Sequence, residues 1–401
     1  MKSSLTTIFM SVIFSSTVFA APAAKSFILS DKELLDEANI KPLYIDEATG
    51  IAMAKISSLQ QTILLRKSHE KGRCGGFELL SDDATQKDLD HAVSLINARR
   101  AIDNKEMKKG FRALEARSSV SEAIADVSEA KIKEWVDWLS SFESRYHKGP
   151  TPNKHVEALQ AKLDEELKAY PELGATTSLV SHVKTTQKTL RLTIPGKSKA
   201  DEIVGMGAHL DSITSSFIGF PTGGRSPGSD DDASGSASIL EALRHILKQA
   251  PYERTLEFYW YAGEEAGLLG SAELAQSYKS EGRKMAGVLQ LDMTLYPGSG
   301  SGNIASINDY TSPEMRAMLL EFNRLYLGVN IIDDKCGYAC SDHASWYKNG
   351  YPTLMPTEAT FHQMNKKIHS KDDVVNSSSS FEHAAIFSKI AIAFASHLGN
   401  P

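Results

Sequence analysis

Three consecutive carboxylates, Asp230, Asp231 and Asp232, stand in the stretch Ser229–Gly235, just ahead of an apolar helical pattern. Like charges this close repel one another unless a cation lies among them, and carboxylate oxygens are good ligands for divalent ions. The alternative is a solvated acidic loop in which one Asp caps the following helix. Four further stretches favour the metal: Gly207-Ala208-His209-Leu210-Asp211, Gly263-Glu264-Glu265, Leu291-Asp292-Met293 and Ile368-His369-Ser370. Two His and three acids divide into two metal positions sharing one carboxylate, the arrangement recurrent in two-metal hydrolytic sites. Asp231 reads as the bridge, with His209 and Asp292 on one ion and Glu265 and His369 on the other. Nitrogen and oxygen donors without sulfur suit zinc, two ions per chain, with cobalt and manganese as substitutes.

Glu264 adjoins a ligand, and two neighbouring acids do not easily both bind one ion. It therefore reads as the free carboxylate that serves as general base. The bland reading, a solvated Glu-Glu turn, fits poorly after a run as apolar as Phe258-Tyr259-Trp260-Tyr261. Asp211, two residues past His209, is placed to accept the second ring N–H and fix the tautomer, and Asp373 is assigned the related part for His369. In Ser341-Asp342-His343 the metal-like look is discounted, because five ligands already serve two ions; Ser341 or Asp342 reads as a helix cap. His245 and His362 read as ordinary surface or core residues.

These residues need a frame that brings them together. Helical periodicity covers 130–147 and 153–170, with Trp135, Trp138, Leu139 and Phe142 as a packing stripe. Strand patterns follow at 179–194, 202–209, 254–261, 284–292, 303–307 and 352–355, and helical ones at 233–249, 268–278, 313–326 and 381–398. Such alternation predicts an α/β fold with a mixed, largely parallel central sheet flanked by helices. Sites in such sheets lie at the carboxyl ends of strands, where His209, Glu265 and Asp292 fall.

The chain has 401 residues, 41% hydrophobic and 23% charged, with a formal net charge of -6 and no basic block. A globular body is affordable and nucleic acid is excluded as a natural partner. Lys2, an apolar run and Val18-Phe19-Ala20 before Ala21-Pro22 predict a signal peptide over 1–20, hence a secreted protein. No later run spans a bilayer, so no membrane association is expected. Residues 21–117 carry no strong motif and basic pairs at Arg99-Arg100 and Lys108-Lys109. They read as a propeptide removed by a processing protease, or else as a retained N-terminal domain, leaving a zinc-binding body over 118–401. Export permits disulfides. Cys336 and Cys340 bracket Gly337-Tyr338-Ala339, a spacing that can close a small ring, while a Cys-x3-Cys zinc clip lacks a second pair of ligands. Cys74 is left over; a thiolate role on a metal in the precursor is its sharpest reading.

With these residues assembled, the chain resembles the secreted bacterial leucyl aminopeptidases, di-zinc exopeptidases made as prepro-enzymes. The resemblance rests on 207–212, 227–235, 262–268, 289–294, 336–346 and 368–369. It implies hydrolysis at the amino ends of peptides and proteins, leucine and large apolar residues being preferred. It implies Asp231 as bridge, Glu264 as base, a cis peptide at Asp231–Asp232, a Cys336–Cys340 disulfide, and Tyr338 as donor to the tetrahedral intermediate. It also implies an apolar pocket of Met293, Ile307, Cys336, Tyr338, Cys340, Met355, Phe361 and Ile368. Thr357 and Met364 replace aromatics usual in that family, which leaves strict leucine preference open. A glutaminyl cyclase-like enzyme with one zinc and a non-catalytic binding protein on the same fold are the alternatives.

Overall fold

The computed structural model describes residues 25–70, 76–80, 83–109, 113–215, 221–222 and 224–401. The expected signal peptide and Cys74 lie outside these residues. Among the described residues no helix is long and apolar enough to cross a membrane.

The larger body is built on a six-stranded sheet in the order Thr353–Leu354, Lys284–Gln290, Lys199–His209, Arg254–Tyr261, Thr189–Ile194, Thr176–Val180. The first four strands are parallel and the last two antiparallel, the mixed and largely parallel sheet that the alternation predicts. Both faces are buried, so the central strands are continuously apolar. Helix Ala233–Gln249 follows the acidic triplet and helix Phe381–Gly399 packs beside it, their apolar sides merging with Leu192, Met206, Phe258 and Leu289 in the main core. A satellite sheet, Asn330–Asp334, Asn303–Ile307 and Pro356–Thr357, carries one wall of the site.

Three expected helices are shorter than their patterns, the one expected over 153–170 running Lys154–Leu167. The first runs Glu129–Ser140 instead of reaching 147, because Arg145 turns inward. Its fully buried guanidinium donates to the carbonyls of Leu139, Leu210, Pro227 and Gly228 at 2.6–3.1 Å, pinning the loop ahead of the triplet. The helix expected over 313–326 ends at Phe322 and continues as a wider turn over Asn323–Leu327.

Residues 25–109 form a second unit. Strands Tyr44–Asp46, Ile51–Ser57, Lys25–Asp31 and Phe77–Leu79 make an antiparallel sheet in that order, with helices Lys32–Glu37, Ser58–Glu70 and Gln86–Lys109. It has its own core around Ile28, Leu34, Ala52, Ile56 and Phe77. The chain joins the larger body by Leu114, whose N–H donates to Glu321, and Arg117, whose guanidinium holds the carbonyls of Ser396 and Asn400.

One close approach fixes how the triplet meets the sheet. A Cβ on Gly235 would stand 2.2 Å from the Leu291 carbonyl and 2.4 Å from Asp232 Oδ1. Gly235→Ala is expected to destabilise the protein by about 1–3 kcal/mol through overpacking. Thermal unfolding checks this; an unchanged melting temperature would contradict the fit.

Candidate metal centre

Four of the five candidate ligands leave the end of a strand or the start of a helix. His209 ends the central strand, Glu265 follows strand Arg254–Tyr261, and Asp292 follows strand Lys284–Gln290. The triplet opens helix Ala233–Gln249, and His369 comes from a loop with φ 57°, the left-handed region. The peptide bonds Asp231–Asp232 and Asp292–Met293 are cis.

Two clusters result, His209 with Asp231 and Asp292, and Asp231 with Glu265 and His369, each with its candidate donor atoms within 4.8 Å of one another. All are buried. Asp231 belongs to both: its Oδ1 lies 2.8 Å from His209 Nε2 and its Oδ2 2.9 Å from His369 Nε2. Glu265 Oε2 is 3.1 Å from His369 Nε2, and Asp292 Oδ1 is 3.9 Å from His209 Nε2.

The donor set fits divalent cations. Asp231, Asp292, Glu264 and Glu265 are packed around two imidazoles, a buried surplus of negative charge. Left to its own groups, the cluster compensates with protons. Burial pushes Glu265 up to about 7 and Asp292 up to about 6, and drives Glu264 well above the carboxylate range. Burial alone would lower His369, yet Glu265 and Asp231 raise it to about 10. A site that holds protons this way offers cations the same compensation. Both oxygens of Glu264 are buried and take no hydrogen bond from the described residues.

The supporting contacts differ in part from the expected ones. His209 Nδ1 lies 3.1 Å from the backbone oxygen of Asp211 and 3.4 Å from its Oδ1. The Asp211 carboxylate chiefly accepts the N–H groups of Glu264 (2.9 Å) and Glu265 (3.3 Å), fixing the Glu-Glu turn. Asp373 is a correction: its carboxylate takes the N–H groups of Asp230 and Asp231 at 3.1 Å each, so it orients the triplet where a bond to His369 had been expected. The cap expected from Ser341 or Asp342 is also corrected, since neither makes a side-chain cap bond to helix His343–Lys348. Ser341 Oγ instead donates to Asp292 Oδ2 at 2.5 Å, and buried Asp342 accepts from Gln290 at 3.3 Å. Asp232 takes the part that the alternative reading gave to one Asp of the triplet, capping its helix through Gly235 N–H, and it also accepts the His209 N–H. These contacts join residues far apart in the chain, so only the Asx-type cap at the triplet carried a local signal.

Beside the clusters lies a hollow lined by Asp292, Met293, Ile307, Cys336, Tyr338, Cys340, Met355, Thr357, Phe361, Met364 and Ile368. Cys336 and Cys340 are disulfide-bonded. Asp309 grips the loop, accepting the N–H groups of Cys336 (3.1 Å) and Gly337 (2.6 Å), and Tyr338 packs edge-on to Phe361. Thr357 Oγ1 donates to the Asp292 carbonyl, tying the pocket wall to a cluster.

The N-terminal unit sits against the same surface. A Cβ on Gly76 would lie 3.5 Å from the Tyr338 ring, and one on Gly267 would lie 2.8 Å from the Phe77 carbonyl. Tyr347 donates to Asp103 at 2.8 Å, Arg99 pairs with Glu314, and Lys184 reaches the Leu79 carbonyl.

Residues 190–394 match the model of peptidase family M28. A probable leucine aminopeptidase of Trichophyton verrucosum is 38% identical over 289 residues, 70% of this chain and 76% of the relative. Leucine aminopeptidase 1 of Trichophyton equinum is 36% identical over 292 residues, again 70% of this chain and 76% of the relative. The crystal structure of the LapA aminopeptidase of Legionella pneumophila superposes with a TM-score of 0.78 at 26% identity, covering 95% of this chain and 100% of that one. With paired His–carboxylate clusters at strand ends and these relatives alongside, the chain belongs to peptidase family M28 and is a metallo-aminopeptidase.

Proposed function

We propose that the protein is a secreted aminopeptidase with two zinc ions, acting on the amino ends of peptides and proteins and preferring leucine and other large apolar residues. The carrying observation is the shared carboxylate, with one Asp231 oxygen facing His209 and the other facing His369. A one-zinc, glutaminyl cyclase-like site has no use for such a bridge. The full donor set beside an unengaged Glu264 speaks against a binding protein without chemistry.

In this reading His209, Asp231 and Asp292 hold one zinc, and Asp231, Glu265 and His369 the other. Bound zinc supplies Lewis-acid polarisation of a carbonyl and makes water more acidic. Glu264 takes the proton of the attacking water and returns it to the leaving amine. Tyr338 donates to the oxyanion as charge develops there. Asp211, Asp232, Asp373 and Ser341 hold the ligands and the base in place. Met293, Ile307, Met355, Phe361 and Ile368 receive the side chain and exclude water, while Thr357 and Met364 leave the wall softer than an aromatic would.

The test is a set of anilides. Each buried methylene adds about 0.8 kcal/mol, so Leu and Met should exceed Ala by about 10- to 100-fold in kcat/KM. N-acetyl-leucine anilide should not turn over. Comparable rates on acetylated substrate would overturn the exopeptidase reading, and equal rates on Leu and Ala would overturn the apolar pocket.

Residues 1–20 are read as the signal peptide and 21–117 as a propeptide that a processing protease removes. The separate core of 25–109 and its contacts with the Tyr338 loop and Gly267 support this. The full chain should be weakly active and gain at least about tenfold on trimming, because a tethered domain competes at high effective concentration. A full chain already at the trimmed rate would rule out inhibition.

A further inference from the structure

Asp31 ends strand Lys25–Asp31 and stands at the N-cap of helix Lys32–Glu37, yet its carboxylate makes no cap bond. It crosses to the larger body instead. Its Oδ2 accepts the Ala339 N–H of the disulfide loop and its Oδ1 accepts the Tyr310 hydroxyl, both at 3.3 Å. Lys348 adds its charge to this spot. The Lys348 side chain is only 7% exposed, with its ammonium 3.6 Å from Glu78 and 5.5 Å from the centre of the Tyr310 ring. Glu78, which pairs with Lys348, and Asp31, which Lys348 attracts, both belong to the N-terminal unit. Tyr310 is held at φ 53°, a strained conformation for a bulky residue, as it presents its hydroxyl to Asp31. Asp309, an opposing charge nearby, is engaged by the Cys336 and Gly337 N–H groups.

An N–H and a hydroxyl that bind the carboxylate, with a buried ammonium whose charge attracts it, come from three segments and make a carboxylate receptor. On departure of residues 25–109 those donors lose their acceptors, beside the loop that carries Tyr338 into the pocket. We propose that Tyr310, the Ala339 amide and Lys348 form a carboxylate-binding subsite, filled here by Asp31 and in the trimmed enzyme by the free C-terminal carboxylate of a short peptide substrate. This rests on the aminopeptidase and propeptide readings above. Burial lifts the Asp31 carboxyl to about 6, against the pull of Lys348 and the Ala339 N–H. A ligand carboxylate on the uncovered face carries less of that burial cost.

The experiment uses the full chain trimmed by limited proteolysis and compares Leu-Gly-Gly as free acid and as C-terminal amide. The acid should have a KM about tenfold lower with similar kcat, the size expected of charge-assisted hydrogen bonds. Lys348→Met and, as the milder variant, Tyr310→Phe should bring the acid-to-amide ratio towards one. Leu-Glu-Gly amide distinguishes the sources: a KM matching the acid's would show that a side-chain carboxylate is the ligand and overturn the assignment to the peptide terminus. Equal KM for acid and amide, or a ratio unmoved by both variants, would overturn the subsite. If neither peptide is hydrolysed, the aminopeptidase reading fails separately. Calorimetric binding of N-acetyl-Leu-Gly-Gly acid against its amide then decides the subsite, with acid-selective binding lost in Lys348→Met as support and indifferent binding as refutation.

Discussion

Glu264→Gln is expected to retain its metal and lose about 10²–10⁴-fold or more in kcat, the usual cost of removing a general base. The side chain is buried, and both of its oxygens are free of hydrogen bonds from the described residues, so the amide removes a proton acceptor while leaving the ligand set intact. The turn that presents it is held through its backbone, by Asp211 on the N–H groups of Glu264 and Glu265, and does not depend on the side chain. Metal analysis beside turnover of leucine anilide makes the comparison. Loss of metal in this variant would exchange the roles of Glu264 and Glu265, and unchanged turnover would remove Glu264 from the chemistry.

Asp231→Ala carries the other large effect: metal content should fall from two ions to fewer than one, and activity to background. Among the described residues no other belongs to both clusters, and its two oxygens are divided between His209 and His369. Removing one partner of a buried charge pair also costs about 3–5 kcal/mol, because the remaining groups lose their compensation. Asp231→Asn preserves the shape and should show the same metal loss with less unfolding. Two ions retained at full rate in either variant would sink the bridge.

The site residues were legible in sequence where chemistry and local pattern coincide. A strand as apolar as Arg254–Tyr261 announces its own end, and an acidic pair at that end stands out. The supporting shell was not legible, since Asp373 reaches back over 140 residues to the triplet and Ser341 reaches Asp292 across 49. Proximity in sequence had suggested His369 and a helix cap in their place. The N-terminal unit was hidden for another reason. Along Ile51–Ser57, Ala52, Ala54 and Ile56 face the unit's own core, while Ile51 and Met53 face a cluster that includes Tyr347 of the larger body. A strand covered on both sides loses the alternation that would reveal it. The helix expected through 147 failed because a buried Arg145 answers to carbonyls that no local pattern predicts.

Helix Phe381–Gly399 is buried along nearly its whole length against the sheet and helix Ala233–Gln249. All six strands of the sheet but Thr353–Leu354 precede it by some ninety residues or more. On a ribosome working at about 5–20 residues per second, the sheet waits roughly 5 to 20 s for its cover. During that interval Leu192, Met206, Phe258 and Leu289 have only helix Ala233–Gln249 over them and form a half-covered wall, the kind of surface that associates with other nascent chains. Translation speed through residues 290–400 therefore sets how long each new molecule is adhesive, and yield during synthesis depends on that pace as well as on final stability.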